Sequence, residues 1–373
     1  MPRNHLIHSL FLITLLTCAP VVTAADDVAD ALTALKSVGA GSEGSAAARE
    51  ALQTIAKSGR ENLVPTLKAF RGASPLATNW LRNAFEALAS SVRTGHLELP
   101  EQKLVDFIKD TKESPAARRL AYEWLLRQND DLEQQLIPEM LLDPSPEFRR
   151  DAVAMLMEAA QDAESPQQGK MLFRRALKGA VHEDQVKSIA RQLRSEGEEV
   201  DIQKHFGFLT SWKIIGPFDN KDEAGFAVAY PPESHPDPSE AFEGQLGEVS
   251  WERIATEDDF GVIDIAEQIE NYKGSLMYAA TVFHSEADAD VEVRLGTPNA
   301  WKLWVNDELV FEREEYHRST QMDQYRIPVR LKKGANRIMV KICQNEMTQD
   351  WAQRYQFQLR VCDSTGAAVL PQL

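Results

Sequence analysis

The chain has 373 residues, 43% of them hydrophobic and 26% charged, enough apolar material to bury two cores and too much for a disordered polymer. Its formal net charge of −16 argues against binding nucleic acid through its phosphates, which needs a basic face. An acidic surface of this kind favours solubility and neutral or cationic partners.

In chain order, Arg3 precedes the apolar run of residues 6–16, and Val22-Thr23-Ala24 offers small residues for cleavage before Ala25. This predicts a signal peptide over residues 1–24 and a secreted or periplasmic protein, with no membrane attachment after cleavage. Export permits disulfides, but the mature chain keeps only Cys343 and Cys362. If 337–343 and 356–362 form one hairpin about Asp350, Cys343 faces Phe357, and both thiols stay free.

From 25 to 200 the apolar positions recur three and four apart, predicting a run of short helices. The stripes include Leu63/Leu67/Phe70, Leu81/Ala84/Phe85/Leu88, Leu104/Phe107/Ile108, Ala117/Ala121/Trp124/Leu125, Ala152/Met155/Leu156/Ala159 and Val186/Ile189/Ala190/Leu193. Ser-Pro recurs at Ser74-Pro75, Ser114-Pro115, Ser145-Pro146 and Ser165-Pro166. Serine caps a helix, and proline suits the first helical position, where its missing N–H costs nothing. Two of these pairs open near-repeats, SPAARRLAYEWL and SPEFRRDAVAML, which align Arg118-Arg119 with Arg149-Arg150. The arginines are expected to cap neighbouring turns or to pair with acids such as Glu123 and Asp151. The pattern resembles HEAT repeats, which implies an α-solenoid with a surface for a protein partner. The acidic stretch 194–204 reads as the inter-domain linker.

After Phe208 the period becomes that of strands. FLTSWKIIGPF predicts a strand ending at the Gly216-Pro217 turn, and 219–248, around YPPESHPDP, a long extended excursion. Strands are then expected at 249–254, 261–265, 276–284, 291–295, 301–305, 309–311, 325–331, 337–343 and 356–361. Short strands separated by turns predict an antiparallel β-sandwich of jelly-roll type over 205–373. In AWKLWVNDELVF, Trp301, Leu303 and Val305 share the core face and Trp304 points away. A three-residue turn through Glu308 gives the cleaner apolar face. Trp304 is expected to be covered by the linking segment or by the helical half.

SWKIIGPFDN, YPPE, VSWERI, LGTPNAWKLWVNDELVF and VRLKKGANRIMVKI together resemble a family of exported bacterial proteins. Their C-terminal module is similar to the galactose-binding-like jelly roll, as in the sugar-binding domain of family 2 glycoside hydrolases. Asn299-Ala300 and Asn306-Asp307 stand where that family has Asp-Gly and Asn-Gly.

No G-x-S-x-G, P-loop, H-E-x-x-H or C-x-x-C is present, so the chain is expected to be non-enzymatic, without cofactor or metal. The acids Asp219, Asp222 and Glu223 with Asn220 lack calcium-loop spacing. Sugar recognition needs an aromatic ring beside planar hydrogen-bonding groups. Two inter-strand loops have that composition: 313–324, with Tyr316 and Arg318, and 344–354, with Asn345, Trp351 and Arg354. These five residues are the candidate ligand contacts, set against the simpler reading that Tyr316 and Trp351 plug the ends of the sandwich. The expected function is secreted binding or scaffolding, with a protein partner on the helices and a glycan on the jelly roll. The alternative is a carbohydrate-active enzyme or an accessory module of one.

Overall fold

The computed structural model describes residues 24–235 and 239–372. The signal-peptide expectation and Cys18 lie outside them. Among the described residues no helix is long and apolar enough to cross a membrane. The protein is mixed α and β, with helices followed in the chain by antiparallel sheets. It divides into two compact units between Glu133 and Gln134.

The first unit holds helices α1 (Ala24–Lys36), α2 (Ser45–Lys57), α3 (Leu63–Lys68), α4 (Pro75–Thr94), α5 (Glu101–Lys109) and α6 (Pro115–Leu126). Helices α1 and α2 pack together, as do α2 with α4 and α5 with α6. Leu63, Leu67, Leu81, Phe85, Leu104, Ile108 and Leu125 are all fully buried, on the stripes that the 3.6-residue period marks. Arg118 is fully buried too, and its Nε donates to the Ile108 carbonyl at 2.6 Å, near the end of α5. Arg119, its neighbour, turns outward to Glu123.

After α7 (Leu132–Leu136), which crosses the division, the second unit continues with α8 (Pro146–Gln161), α9 (Pro166–Gly179), α10 (Glu183–Ser195) and α11 (Ile202–Phe206). Arg149 repeats the part of Arg118: it is buried, and its Nε caps the Gly179 carbonyl at the end of α9. Arg150 forks onto Asp184. All four Ser-Pro pairs open helices, with proline in the first turn. Only Ser74 and Ser165 cap with the side chain itself. On α8 the buried face is Ala152, Val153 and Ala160, rotated from the expected stripe; Ala159 is exposed.

Among the described residues the β part of this unit has twelve strands: β1 (Ser211–Asp219), β2 (Ala241–Gly244), β3 (Gly247–Ser250), β4 (Glu252–Ala255), β5 (Ile263–Asp264), β6 (Ser275–Ser285), β7 (Ala289–Gly296), β8 (Ala300–Val305), β9 (Glu308–Arg313), β10 (Tyr325–Leu331), β11 (Gly334–Gln344) and β12 (Gln356–Cys362). One sheet runs β4-β1-β6-β11-β8-β9 and the other β10-β7-β12-β5, with β2-β3 a separate hairpin. Trp212, Trp301, Phe283, Val340, Leu359 and Val361, drawn from both larger sheets, share one core. Alternation along each strand supplies that core, because successive side chains point to opposite faces.

Several expectations need correction. β11 and β12 do not pair: β11 lies between β6 and β8, and β12 between β7 and β5. Cys343 and Cys362 therefore sit in different sheets, both buried and free. Nor does β1 end at Gly216-Pro217. It runs through that cis peptide with a register shift between Ile215 and Phe218. Gly216 has φ 146°, and a Cβ there would lie 2.5 Å from Met277 Sδ, so only glycine fits so near β6. The 219–248 excursion is not simply extended, since it holds two short helical turns and the β2-β3 hairpin. At β8-β9 the turn is the two-residue Asn306-Asp307, both at positive φ, pairing Trp304 with Leu309. A bulge then restores the Leu303–Phe311 pairing that the longer turn was expected to give.

Trp304 is only 6% exposed, yet neither the linking segment nor the helices cover it. It packs in a second cluster on the outer face of the six-stranded sheet, with Tyr278, Phe218 and Phe226, sealed by Tyr230 and Phe242 of the excursion and by Trp251 between β3 and β4. Lys341 is buried beneath the same cover, its Nζ donating to the carbonyls of Phe226 (3.2 Å) and Val228 (2.7 Å) and pairing with Glu233 (3.1 Å).

The outer face of the four-stranded sheet is covered by the end of the helical run. Residues 194–204 are docked: Arg194 clasps Asp259, while Val200 and Ile202 are buried. Phe206 and Phe208 join Phe260 in an aromatic cluster continuous with Phe173 and Ile189. Arg360 of β12 donates to the carbonyls of Phe206 and Gly366.

Candidate functional site

The ends of β1, β9 and β11 and the starts of β8, β10 and β12 lie at one end of the paired sheets, which brings the loops 220–226, 314–324 and 345–355 together. Both loops chosen by composition are among them. They meet at His317, which sits in the left-handed region at φ 58°. Its Nε2 is 2.7 Å from Asn345 Oδ1, and its ring stands edge-on to Trp351 with centroids 5.1 Å apart.

Asn345 is nearly fully buried and fixes this junction. Its Nδ2 donates to Glu223 at 3.0 Å, so its Oδ1 accepts, from the Met347 amide and from His317. His317 must then carry its proton on Nε2. Asn220, fully buried, donates to the Tyr316 hydroxyl and to the Gln344 carbonyl. The polar residues of the 219–223 loop thus lace three loops together. Among the described residues no group of three or more metal-ligating side chains is placed to hold an ion.

Trp351 occupies a short helical turn, Asp350–Ala352, whose Ala352 carbonyl accepts from Lys273 and Gln344. The backbone is held while the ring is 61% exposed. On the other side of His317 lies a recess of about 610 Å³, lined by Arg313, Glu315, Arg318, Gln321, Gln324 and Tyr325. Glu315 bridges Arg318 and Arg313, which hold its carboxyl down at about 2. The wall therefore stays a fixed pattern of paired charges and amides across ordinary pH.

Of the five candidate residues, Trp351, Arg318 and Arg354 are exposed and Asn345 is interior. Tyr316 is turned inward against the outer-face cluster, its phenol pushed upward by burial. Tyr316 thus packs inward, whereas the Trp351 ring stands exposed. His317 and Glu223 complete the junction and are absent from the five. Their isolated positions in the sequence gave no spacing signal, because three separate loops supply the parts.

Chemically, the arrangement presents one flat apolar ring beside directional donors and acceptors. That combination takes a ligand with an apolar face and hydroxyls at its edge.

No family model matches the chain, and no curated protein matches it. Partial likenesses to solved structures occur. A β-glucosidase from Kluyveromyces marxianus in complex with glucose is 17% identical, over 24% of this chain and 10% of that chain, at TM-score 0.20. The selenomethionine-labelled β-glucosidase from the same organism is 12% identical, over 41% and 17%, at TM-score 0.27. A GH31 α-xylosidase from Xanthomonas citri is 9% identical, over 41% and 16%, at TM-score 0.20. In each case the matched part is a small share of the longer protein.

Proposed function

We propose that this is an exported, non-enzymatic binding protein in which a HEAT-like helical array serves a protein partner and a jelly-roll module recognises carbohydrate. The observation that carries the carbohydrate reading is the convergence at His317: a well-exposed Trp351 on an anchored turn, next to a recess walled by Arg318, Gln321 and Gln324. A sugar ring lays its C–H face on the indole and bonds its hydroxyls to the amides and guanidiniums. Glu315 ties Arg313 and Arg318, and Gln324 accepts from the Thr297 amide, so part of the side-chain ordering that opposes binding is already in place. The helical role rests on the packed hairpins, which cannot bury their stripes singly and present their outer faces when they pack.

Affinity electrophoresis of the whole chain through gels of neutral polysaccharides (β-glucan, xylan and galactomannan) tests the reading. Retardation in at least one gel is expected, with Trp351→Ala weakening it by about tenfold or more, or about 1.4 kcal/mol. The melting temperature of that variant should be unchanged, since the ring is exposed. No retardation in any gel, or equal retardation of the variant, would sink the carbohydrate assignment.

A further inference from the structure

Away from the loop end, the outer face of the six-stranded sheet is open beside Trp251. There Lys213, Trp251, Arg253, Ala280, Val282 and Arg337 line a groove of about 460 Å³. Its floor is apolar: Ala280 and the well-exposed Val282 of β6 lie next to the indole of Trp251. Three of the lining residues are cations and none is an acid, in a chain whose net charge is −16. Arg337 is taken up by Asp307. Lys213 and Arg253 have no ion-pair partner among the described residues.

The register sharpens this. Lys213 of β1 and Arg253 of β4 are direct partners across an antiparallel pair. Like charges set opposite one another in this way destabilise a sheet. Buried cations elsewhere on these two sheets are matched with carboxylates, Lys341 with Glu233 and Arg294 and Arg360 with Asp323. Here the compensating charge is not supplied by the chain.

We infer that this groove is a second ligand site, distinct from the Trp351 end, and that its ligand is a uronate-bearing oligosaccharide. A uronic acid matches what the groove offers. Its pyranose ring has an apolar face for the Trp251 indole and the Val282 floor, and its carboxylate extends to lie between Lys213 and Arg253. The volume is that of small-molecule sites. The site stands independently of the neutral-sugar assignment at Trp351.

Isothermal titration of the whole chain with tri-galacturonic acid tests it, beside the fully methyl-esterified trimer and an oligoglutamate. Binding of the acid trimer is expected, reduced at least about tenfold in Arg253→Ala and in Lys213→Gln, and unaffected in Trp351→Ala. Both groove variants should melt no lower than the parent, because each relieves a like-charge pair. Three results would overturn the proposal: no binding of the trimer at millimolar concentration, equal binding of the ester, or parental affinity in both groove variants. Oligoglutamate binding as tightly as the trimer would transfer the groove to acidic peptides and overturn the sugar.

Discussion

The outer faces of the two larger sheets treat charge in opposite ways. On the four-stranded sheet, Arg360 and Arg294 are 0% and 5% exposed, and both reach Asp323. Arg360 forks onto its two oxygens at 2.7 Å each, Arg294 adds a bond at 2.6 Å, and Glu292 balances Arg294. The set is neutral, and the carbonyls of Phe206 in α11 and Gly366 in the 363–368 turn cover Arg360. On the six-stranded sheet, one half is sealed by the excursion over Lys341 and Trp304. The other half leaves Lys213 facing Arg253 in the open. Under the covering segments Arg294, Arg360 and Lys341 each have a counter-charge; beyond them Lys213 and Arg253 have none among the described residues. Coverage and compensation go together because a buried ion without a partner costs several kcal/mol, whereas an exposed one costs little.

The sharpest break of this comparison is Arg360→Met. It strands Asp323 beside a single guanidinium and the freed carbonyls of Phe206 and Gly366, and should cost about 3–5 kcal/mol in urea unfolding of the whole chain followed by tryptophan fluorescence. Replacing Glu292, Arg294, Asp323 and Arg360 together by apolar residues should cost much less, since no charge of the set is left unpaired. Burial alone would raise the Asp323 carboxyl, but the guanidiniums of Arg360 and Arg294 outweigh it and hold it below the usual range. The triad's contribution is therefore complete above about pH 4 and is lost as pH falls through that lowered value. Acid titration of Arg360→Met should show a shallower loss of stability than the parent.

A smaller contrast sets two lysines of one face against each other. Lys341→Met removes the donor to two buried carbonyls and to Glu233, and should cost about 2–3 kcal/mol. Lys213→Met on the open half should change stability by no more than about 0.5 kcal/mol, or raise it. Equal losses in thermal melts would show that the open half is as tightly built as the sealed one.

The smallest effect concerns the thiols. Burial pushes Cys343 up to about 12 and Cys362 up to about 11. Neither should react with iodoacetamide in the native protein at pH 8, and both should react in urea. Folding favours the neutral thiols, so their contribution is whole below about pH 9 and is lost as pH rises through those raised values. Rapid native labelling would mean that the sheets open locally.

Much of the fold was legible in the sequence where the signal is local. The Ser-Pro pairs mark helix starts because capping is settled within three residues, and β10 is read at its full length because Tyr325, Ile327, Val329 and Leu331 alternate cleanly. The candidate site was half legible. Composition picked out the two loops and Trp351, but Asn345 and Tyr316 have the same composition and point inward. Lys213 and Arg253 carried no signal at all, since about forty residues separate them in the chain.

By itself, the sequence determined where the helical run gives way to strands, most of the helix starts and the apolar face of clean alternations such as β10, since these depend on neighbours two to four positions away. It also placed the strands that carry the two thiols, without the sheet that each would join. Only the tertiary structure decided that β11 and β12 lie in different sheets, that the 219–248 excursion and Trp251 shield Trp304, and that Asp323 serves two arginines from β7 and β12. Those outcomes rest on pairings between distant segments, where many partners satisfy the same local pattern and long-range packing selects one.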